Sequence, residues 1–231
     1  FTITSSGQGN SDVLDGGAGS DTLQLSSGSH VFSSDSNFSN IETVLANASG
    51  SSVNLSAQTE GFTITGGAGV DTITGAAGAN VITGDAGNDI ITGGASADII
   101  TGGAGDDQLT GGGGVDTFKI DAGSDTITDL SAADIMVISS GATANATISA
   151  NYTAAGTTTN AGTANLTLGT GGLSVDMSLA GGSAGFNLIG SSGTDTITAT
   201  GKADTFTITS SGQGNSDVLD GGTGSDTLQL S

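Results

Sequence analysis

The stretch that decides the fold runs from Gly66 to Lys119 and reads GGAGVDTIT GAAGANVIT GDAGNDIIT GGASADIIT GGAGDDQLT GGGGVDTFK. It is built of six nine-residue units without a gap. Position six is polar in every unit: Asp71, Asn80, Asp89, Asp98, Asp107 and Asp116. Position eight is apolar: Ile73, Ile82, Ile91, Ile100, Leu109 and Phe118. A fixed period of this kind is neither helical nor plain strand alternation, and it predicts a stacked repeat, or solenoid.

Each unit predicts a sharp turn followed by a short strand. The glycine-rich first half allows positive φ and therefore a tight turn. In a three-residue strand the middle side chain faces away from its neighbours, so position eight is expected to point inward. Two units then make one 18-residue coil with two parallel strands, and stacked coils share a thin core. The predicted fold class is all-β, a parallel β-roll or β-helix solenoid with Gly-Asp turns.

Carboxylates recur along both edges of this predicted roll. Because the turns alternate between the edges, one edge stacks Asp71, Asp89, Asp107 and Asp125, and the other stacks Asn80, Asp98, Asp116 and Asp134. Stacked strands lie ~4.8 Å apart, and two unit charges at that distance repel by roughly 3 kcal/mol at an effective dielectric of ~20. A hard cation with oxygen ligands would remove this repulsion, and calcium tolerates irregular geometry better than magnesium. Several bound Ca²⁺ ions are therefore expected.

The six units resemble the calcium-binding repeats-in-toxin (RTX) family, whose GGxGxDxUx nonapeptide forms a parallel β-helix. The resemblance implies that calcium lies between turns of successive coils, held by position-six carboxylates and by turn carbonyls. The carboxylates that match are Asp71, Asp89, Asp98, Asp107 and Asp116, and the matching turn glycines are Gly66, Gly84, Gly93, Gly102 and Gly111. Unit two departs from the family pattern with Asn80 and Ala76, and unit four departs with Ser96.

The composition indicates that the charge is placed at defined positions. The chain has 231 residues, 42 Gly, no Pro, no Cys and a net charge of −21. Thirteen of its 21 Asp residues occupy position six of a nonapeptide, which adds the candidate ligands Asp12, Asp21, Asp125, Asp134, Asp195, Asp204, Asp217 and Asp226. So acidic a surface is a poor partner for nucleic acid or anionic membrane. No apolar run approaches the ~20 residues of a spanning helix, so membrane insertion is not expected either.

A longer repeat contains the nonapeptides. Residues 206–231 repeat residues 1–26 at an offset of 205, with Ala18 against Thr223 as the one difference. The chain thus holds one period of a tandem array and the start of the next. Its expected segments are a nonapeptide block at 1–26, a degenerate solenoid flank at 27–56, a calcium-binding β-roll at 57–138, a calcium-poor β region rich in Thr, Ala and Ser at 139–185, and a nonapeptide block at 186–231. The region 139–185 is either continued solenoid or a separate sheet.

Groups for catalysis are scarce in this sequence. It has no Cys, no Arg and a single histidine, His30, which rules out the HExxH zinc motif. The paired carboxylates are expected in exposed, repeating turns where one pair is equivalent to the next, whereas an active site breaks such symmetry. We therefore expect that the protein is not an enzyme.

Three classes of function fit these features. An extracellular repeat protein that forms a surface layer, fibre or adhesin stalk accounts for both repeats and is favoured. A calcium-triggered folding and secretion module of a larger toxin or hydrolase accounts for the nonapeptides alone. An ice- or glycan-binding solenoid accounts only for the Thr residues at position nine. The resemblance implies a secreted protein at a bacterial surface, exported in one step by a Gram-negative cell. Its expected partners are calcium, further copies of itself in a polymer or lattice, and cell-surface polysaccharide.

Overall fold

The computed structural model describes residues 2–3, 13–131, 133–208 and 216–230. The chain forms two compact units, Phe1–Thr117 and Phe118–Ser231. Within each unit the described strands pair in parallel, and the described residues contain one short 3₁₀ turn, η1 (Asp35–Asn37), but no α-helix. The predicted parallel β-solenoid is therefore confirmed. No helix in the described ranges has the length and apolar character needed to cross a membrane.

The first unit holds thirteen strands and the beginning of a fourteenth. They are β1 (Thr2–Ile3), β2 (Leu14–Asp15), β3 (Thr22–Leu25), β4 (Gly28–Val31), β5 (Phe38–Ser39), β6 (Thr43–Leu45), β7 (Ser51–Asn54), β8 (Thr63–Ala68), β9 (Thr72–Thr74), β10 (Val81–Ala86), β11 (Ile90–Gly94), β12 (Ile99–Ala104), β13 (Gln108–Gly112) and β14 (Thr117–Ile120). One sheet has the order β1-β3-β6-β8-β10-β12 and another β4-β7-β9-β11-β13, while β2 pairs with β5.

The register of these sheets stacks identical repeat positions. Ile82 lies between Ile64 and Ile100 in one sheet, and Ile91 lies between Ile73 and Leu109 in the other. All six are at most 1 % exposed. Position eight thus forms the core, as predicted.

Strands on both sides of the roll are longer than the expected three residues, and β11 and β13 run for five. β8, β10 and β12 each run for six residues because the strand continues through the first three positions of the next unit. Strand alternation then places the position-one glycines Gly66 and Gly84 on the buried side, next to the core. The expected three-residue strand is correct for β9 and wrong here.

Coil length also varies along the chain. Thr63 pairs with Val81, 18 residues later, but Thr22 pairs with Thr43, which is 21 residues later. The additional residues of this flank carry large side chains: the Phe38 ring lies 4.7 Å from that of Phe32 and 5.5 Å from that of Phe62. A uniform 18-residue coil is therefore wrong outside the central roll.

The second unit contains the remaining strands. They are β15 (Ser124–Ile127), β16 (Ile135–Ile138), β17 (Thr143–Ile148), β18 (Tyr152–Thr153), β19 (Thr159–Asn160), β20 (Thr163–Leu168), β21 (Ser174–Asp176), β22 (Gly181–Gly182), β23 (Asn187–Ile189), β24 (Thr196–Thr198), β25 (Thr205–Ile208), β26 (Val218–Asp220) and β27 (Thr227–Leu230). Its sheets have the orders β16-β19-β22, β15-β17-β20-β23-β25-β27 and β18-β21-β24-β26. The region 139–185 is thus continued solenoid that also contributes to an additional sheet.

The core assignment can be tested with two neighbouring isoleucines. Ile91 is fully buried, whereas Ile90 is 46 % exposed. Ile91→Ala should destabilise the calcium-loaded protein by about 2–5 kcal/mol because it opens a cavity in a thin core. Ile90→Ala should change stability by no more than about 0.5 kcal/mol. Urea denaturation measures both, and equal effects of the two substitutions would contradict this core.

Candidate metal sites

The position-six side chains are buried under the turns. Asp71, Asn80, Asp89 and Asp98 are at most 1 % exposed, so the expected exposed carboxylates are wrong. Other predicted ligands that are buried are Asp107, Asp116, Asp125, Asp134, Asp195 and Asp204. Strand alternation explains the direction, because position six lies two residues before the buried position eight and therefore faces the same way.

One oxygen of each central carboxylate binds the preceding coil. The backbone N–H of Asp71 donates to Oδ1 of Asp89 at 2.8 Å, and that of Asp89 donates to Oδ1 of Asp107 at 2.8 Å. On the other edge, the N–H of Asp98 donates to Oδ1 of Asp116 at 2.8 Å. The carboxylate ladder therefore also connects successive coils through hydrogen bonds to the backbone, a contact that the sequence did not predict.

The second oxygen is left without a donor. Oδ2 of Asp71, Asp89 and Asp98 is buried and accepts no hydrogen bond from the described residues. Burial raises the pKa of all three carboxyls; the pKa of Asp89 rises to about 6, with further contributions from the charges of Asp107, Asp71 and Asp85. An ionised carboxylate buried in this way is costly unless a cation or donor reaches it.

The position-one glycine leaves room for this oxygen. A Cβ on Gly66 would lie 2.8 Å from Oδ2 of Asp71 and 2.7 Å from the carbonyl oxygen of Gly84. The same two kinds of oxygen surround Gly84, namely Oδ2 of Asp89 and the carbonyl of Gly102. At Gly93 they are Oδ2 of Asp98 and the carbonyl of Gly111, and a Cβ on Gly102 or Gly111 would meet Oδ2 of Asp107 or Asp116. Position one therefore needs glycine for space, while positive φ is found at positions two and four, as at Gly67 (108°) and Gly69 (109°).

These oxygens suit a hard cation. Among the described residues no three His, Cys, Asp or Glu side chains come together as a metal site, so any ion must also use backbone oxygens. Calcium takes six to eight oxygen ligands and accepts backbone carbonyls together with carboxylates. A buried Oδ2 and a carbonyl of the next coil that lie beside the same glycine fit part of such a shell.

In the turn of unit two, the position-six side chain has different hydrogen-bond partners. Oδ1 of Asn80 accepts the N–H of Phe62 at 3.1 Å. Its Nδ2 donates to the carbonyl oxygen of Gly78 at 2.7 Å and to Oδ1 of Asp98 at 2.9 Å. Nδ2 thus has partners at the place where Oδ2 of Asp71, Asp89 and Asp98 accepts no hydrogen bond from the described residues.

In three predicted ligands of the second unit, Oδ2 accepts a hydrogen bond from another residue of the chain. Oδ2 of Asp195 accepts from the hydroxyl of Ser191 at 3.0 Å, Oδ2 of Asp204 accepts from that of Thr200 at 2.8 Å, and Oδ2 of Asp134 accepts from the N–H of Ser131 at 2.7 Å. Position one of the Asp204 turn is Ala199, which is buried, so a methyl group stands where the central turns have a glycine.

The remaining predicted ligands lie in the terminal blocks or after the central stretch. Asp21 is half-buried and its N–H donates to Oε2 of Glu42 at 2.8 Å. Oδ1 of Asp217 accepts the N–H of Asp195 at 2.9 Å, and Oδ1 of the exposed Asp226 accepts that of Asp204 at 3.0 Å. The Asp125 turn has Ile120 at position one. Asp12 lies outside the described residues.

The fold and these turns define a parallel β-solenoid with a buried carboxylate in every central turn except that of Asn80. The family model of the RTX calcium-binding nonapeptide repeat (4 copies) matches residues 6–29, 65–99, 83–118, 92–127, 189–207 and 211–229. These matches cover more than half of the chain, and the protein belongs to this family of calcium-binding repeats. A search of curated proteins found none that matches it.

The raised pKa values predict how acid affects the protein in a chelator. The pKa of Asp89 is about 6 in the fold, against its usual 3.8, so protonation favours folding; this contribution is complete below pH ~4 and is lost as the pH rises through ~6. Lowering the pH from 7 to 5 should therefore raise the melting temperature of the calcium-free protein. With calcium present the same change should lower it, because protons compete for the ligands. Circular dichroism melts measure both, and an acid-induced loss of stability in chelator would contradict the prediction.

Proposed function

We propose that the protein is an extracellular structural repeat protein whose central roll folds around calcium. The observation that carries this proposal is the buried Oδ2 of Asp71, Asp89 and Asp98, which has no donor and faces a backbone carbonyl of the next coil. An ion at this position bridges two coils, because one ligand comes from each. Asp107 and Asp116 are proposed as further ligands because their Oδ2 atoms also lie beside a position-one glycine, and the carbonyls of Gly84, Gly102 and Gly111 are proposed as the backbone ligands.

Calcium then supplies stability that the core cannot. One position-eight side chain per nine residues gives little apolar burial, whereas ordering a glycine-rich chain loses much conformational entropy. Ions that bind only the folded turns stabilise them by about 2.7 kcal/mol per site at a hundredfold excess over the dissociation constant. The roll should therefore melt at a much lower temperature where calcium is scarce than outside the cell, where calcium is abundant. This behaviour suits a protein that is exported unfolded.

A structural role agrees with the regularity of the molecule. The carboxylate turns repeat one geometry on stacked coils, so none of them is distinguished as a catalytic centre. Repeats of this family occur typically in secreted proteins of Gram-negative bacteria. We therefore propose a non-enzymatic component of a surface layer, fibre or adhesin stalk.

The duplicated blocks support end-to-end stacking of successive periods. The sequence TLQL occurs in β3 and again in β27. In β3, Leu23 and Leu25 are at most 2 % exposed, and this strand pairs with β1 and with β6. In β27, Leu228 and Leu230 are 58 % and 77 % exposed. We propose that a coil equivalent to the one formed by residues 27–56 covers β27 in the assembled array.

Calcium dependence can be tested at Asp89. Asp89→Ala removes an Oδ2 ligand and the acceptor of the Asp71 N–H, so it should raise the calcium concentration for half-folding roughly tenfold or more, about 1.4 kcal/mol in binding. Asp176→Ala is the control: Asp176 lies outside the nonapeptides and accepts the N–H of Ser178 at 2.9 Å. The control should lose about 1 kcal/mol equally with and without calcium. Circular dichroism during a calcium titration measures both, and a wild-type β spectrum that chelator leaves unchanged would refute the proposed function.

Stacking can be tested by joining two periods. A chain of two complete 205-residue periods should melt at a higher temperature than one period, in the same calcium concentration, because the leucines of the inner block become buried. Leu228→Ser should lower the melting temperature of the two-period chain and leave that of the single period nearly unchanged. Identical melting of one and two periods would show that the periods fold as independent bodies.

A further inference from the structure

The turn Gly75–Asn80 has a hydrogen-bond donor where neighbouring turns have an oxygen without one. Position-six side chains take the same orientation throughout the roll: Oδ1 of Asn80 accepts the N–H of Phe62, as Oδ1 of Asp89 accepts that of Asp71. The remaining side-chain atom of Asn80 is therefore Nδ2, which occupies the position that Oδ2 occupies in the aspartates. Gly75 confirms the equivalence, because a Cβ there would lie 3.0 Å from Nδ2 of Asn80 and would also meet the carbonyl of Gly93.

Oxygen atoms surround Nδ2 in excess of its hydrogens. Four lie within 3.5 Å: the carbonyls of Gly78 (2.7 Å) and Ala76 (3.1 Å) in its own turn, and Oδ1 of Asp98 (2.9 Å) and the carbonyl of Gly93 (3.5 Å) in the next coil. An amide nitrogen has only two hydrogens to donate. Such a cluster of oxygens is the environment of a cation, and here the partly positive amide group fills it.

The backbone of this turn also differs from that of the aspartate turns on the other edge. Gly67 and Gly69 both have positive φ, as do Gly103 and Gly105. Neither Ala76 nor Gly78 does. The Asp98 turn on the same edge shares this path, since Gly94 and Ser96 also lack positive φ, so the difference from the Asp98 turn lies in the side chain at position six.

Hydroxyl groups have a similar role in the second unit. Ser191 and Thr200 occupy position two of their nonapeptides, and their hydroxyls donate to Oδ2 of Asp195 and Asp204, at 3.0 and 2.8 Å. Their backbone N–H groups donate to the same oxygens at 2.9 and 3.1 Å. In both turns the oxygen that is orphaned in the central roll receives two donors.

We propose that Asn80, Ser191 and Thr200 each provide a donor in place of a calcium ion, so that their three turns close without metal. Calcium is then required by turns such as 66–71, 84–89 and 93–98, in which Oδ2 accepts no hydrogen bond from the described residues. This inference rests on the proposed function, that is, on calcium binding at those oxygens. Individual turns of a calcium-binding repeat thus close without metal. The coils that contain them stay folded when calcium is withdrawn.

The test converts Asn80 into a calcium ligand. Asn80→Asp replaces Nδ2 by an oxygen that faces four others, so the full chain should bind one more calcium ion by isothermal titration calorimetry, and its melting temperature in chelator should fall. Asn54→Asp is the matched control, because Asn54 is a half-buried strand residue that does not occupy position six of a nonapeptide, and its Oδ1 accepts the N–H of Ser56. The control should keep the wild-type stoichiometry.

The reverse substitution is a second and independent test of the inference. Asp98→Asn keeps Oδ1, which accepts the N–H of Asn80 at 2.6 Å, and replaces the donor-free Oδ2 by an amide. It should bind one calcium fewer and melt at a higher temperature than wild type in chelator. Unchanged stoichiometry in both variants, or a lower melting temperature of Asp98→Asn in chelator, would overturn the inference. A wild-type chain that binds no calcium would instead refute the proposed function.

Discussion

The structure depends on the burial of a carboxylate that has only one of its two oxygens satisfied. In the central roll the position-six Oδ1 receives an N–H from the preceding coil, as at Asp89, whereas Oδ2 faces the carbonyl of the following coil. The first contact favours stacking and the second opposes it while the carboxylate is charged. The balance between them is therefore set by whatever cation or proton reaches Oδ2. So thin a core contributes too little stability to offset several buried charges unless a cation or a proton neutralises them.

The parts of the chain that lack these turns are built differently. Several of their coils are longer than 18 residues, as where Thr205 pairs with Thr227. They also bury aromatic side chains: Phe32, Phe38 and Phe62 pack together in the first unit, and in the second the buried Tyr152 donates its hydroxyl to the carbonyl of Asp134 at 3.0 Å. Buried aromatic side chains and side-chain donors contribute to the stability of these coils. The turn chemistry of the nonapeptide thus varies along the chain with the residues at positions one, two and six.

Much of this could be predicted from sequence. The nine-residue period determined the parallel solenoid and the inward direction of Ile73, Ile91 and Leu109, since one polar and one apolar residue per unit permit few other arrangements. The burial of the carboxylates was missed, because their charge suggested exposure and the N–H of the preceding coil is invisible in sequence. Coil lengths in the flanks were also missed, because they have no strict period. The roles of Ser191 and Thr200 depend on hydroxyl geometry, although their place at position two of a nonapeptide was a readable signal.

Anomalous diffraction from crystals grown with calcium, or with a lanthanide in its place, tests the central claim most directly because it locates the ions. The account predicts a peak beside Oδ2 of Asp71, Asp89 and Asp98, within bonding distance of a carbonyl oxygen from the following coil, and no peak at Nδ2 of Asn80. Ions confined to exposed carboxylates such as Asp85 and Asp106, with the buried Oδ2 atoms left without a metal, would contradict it.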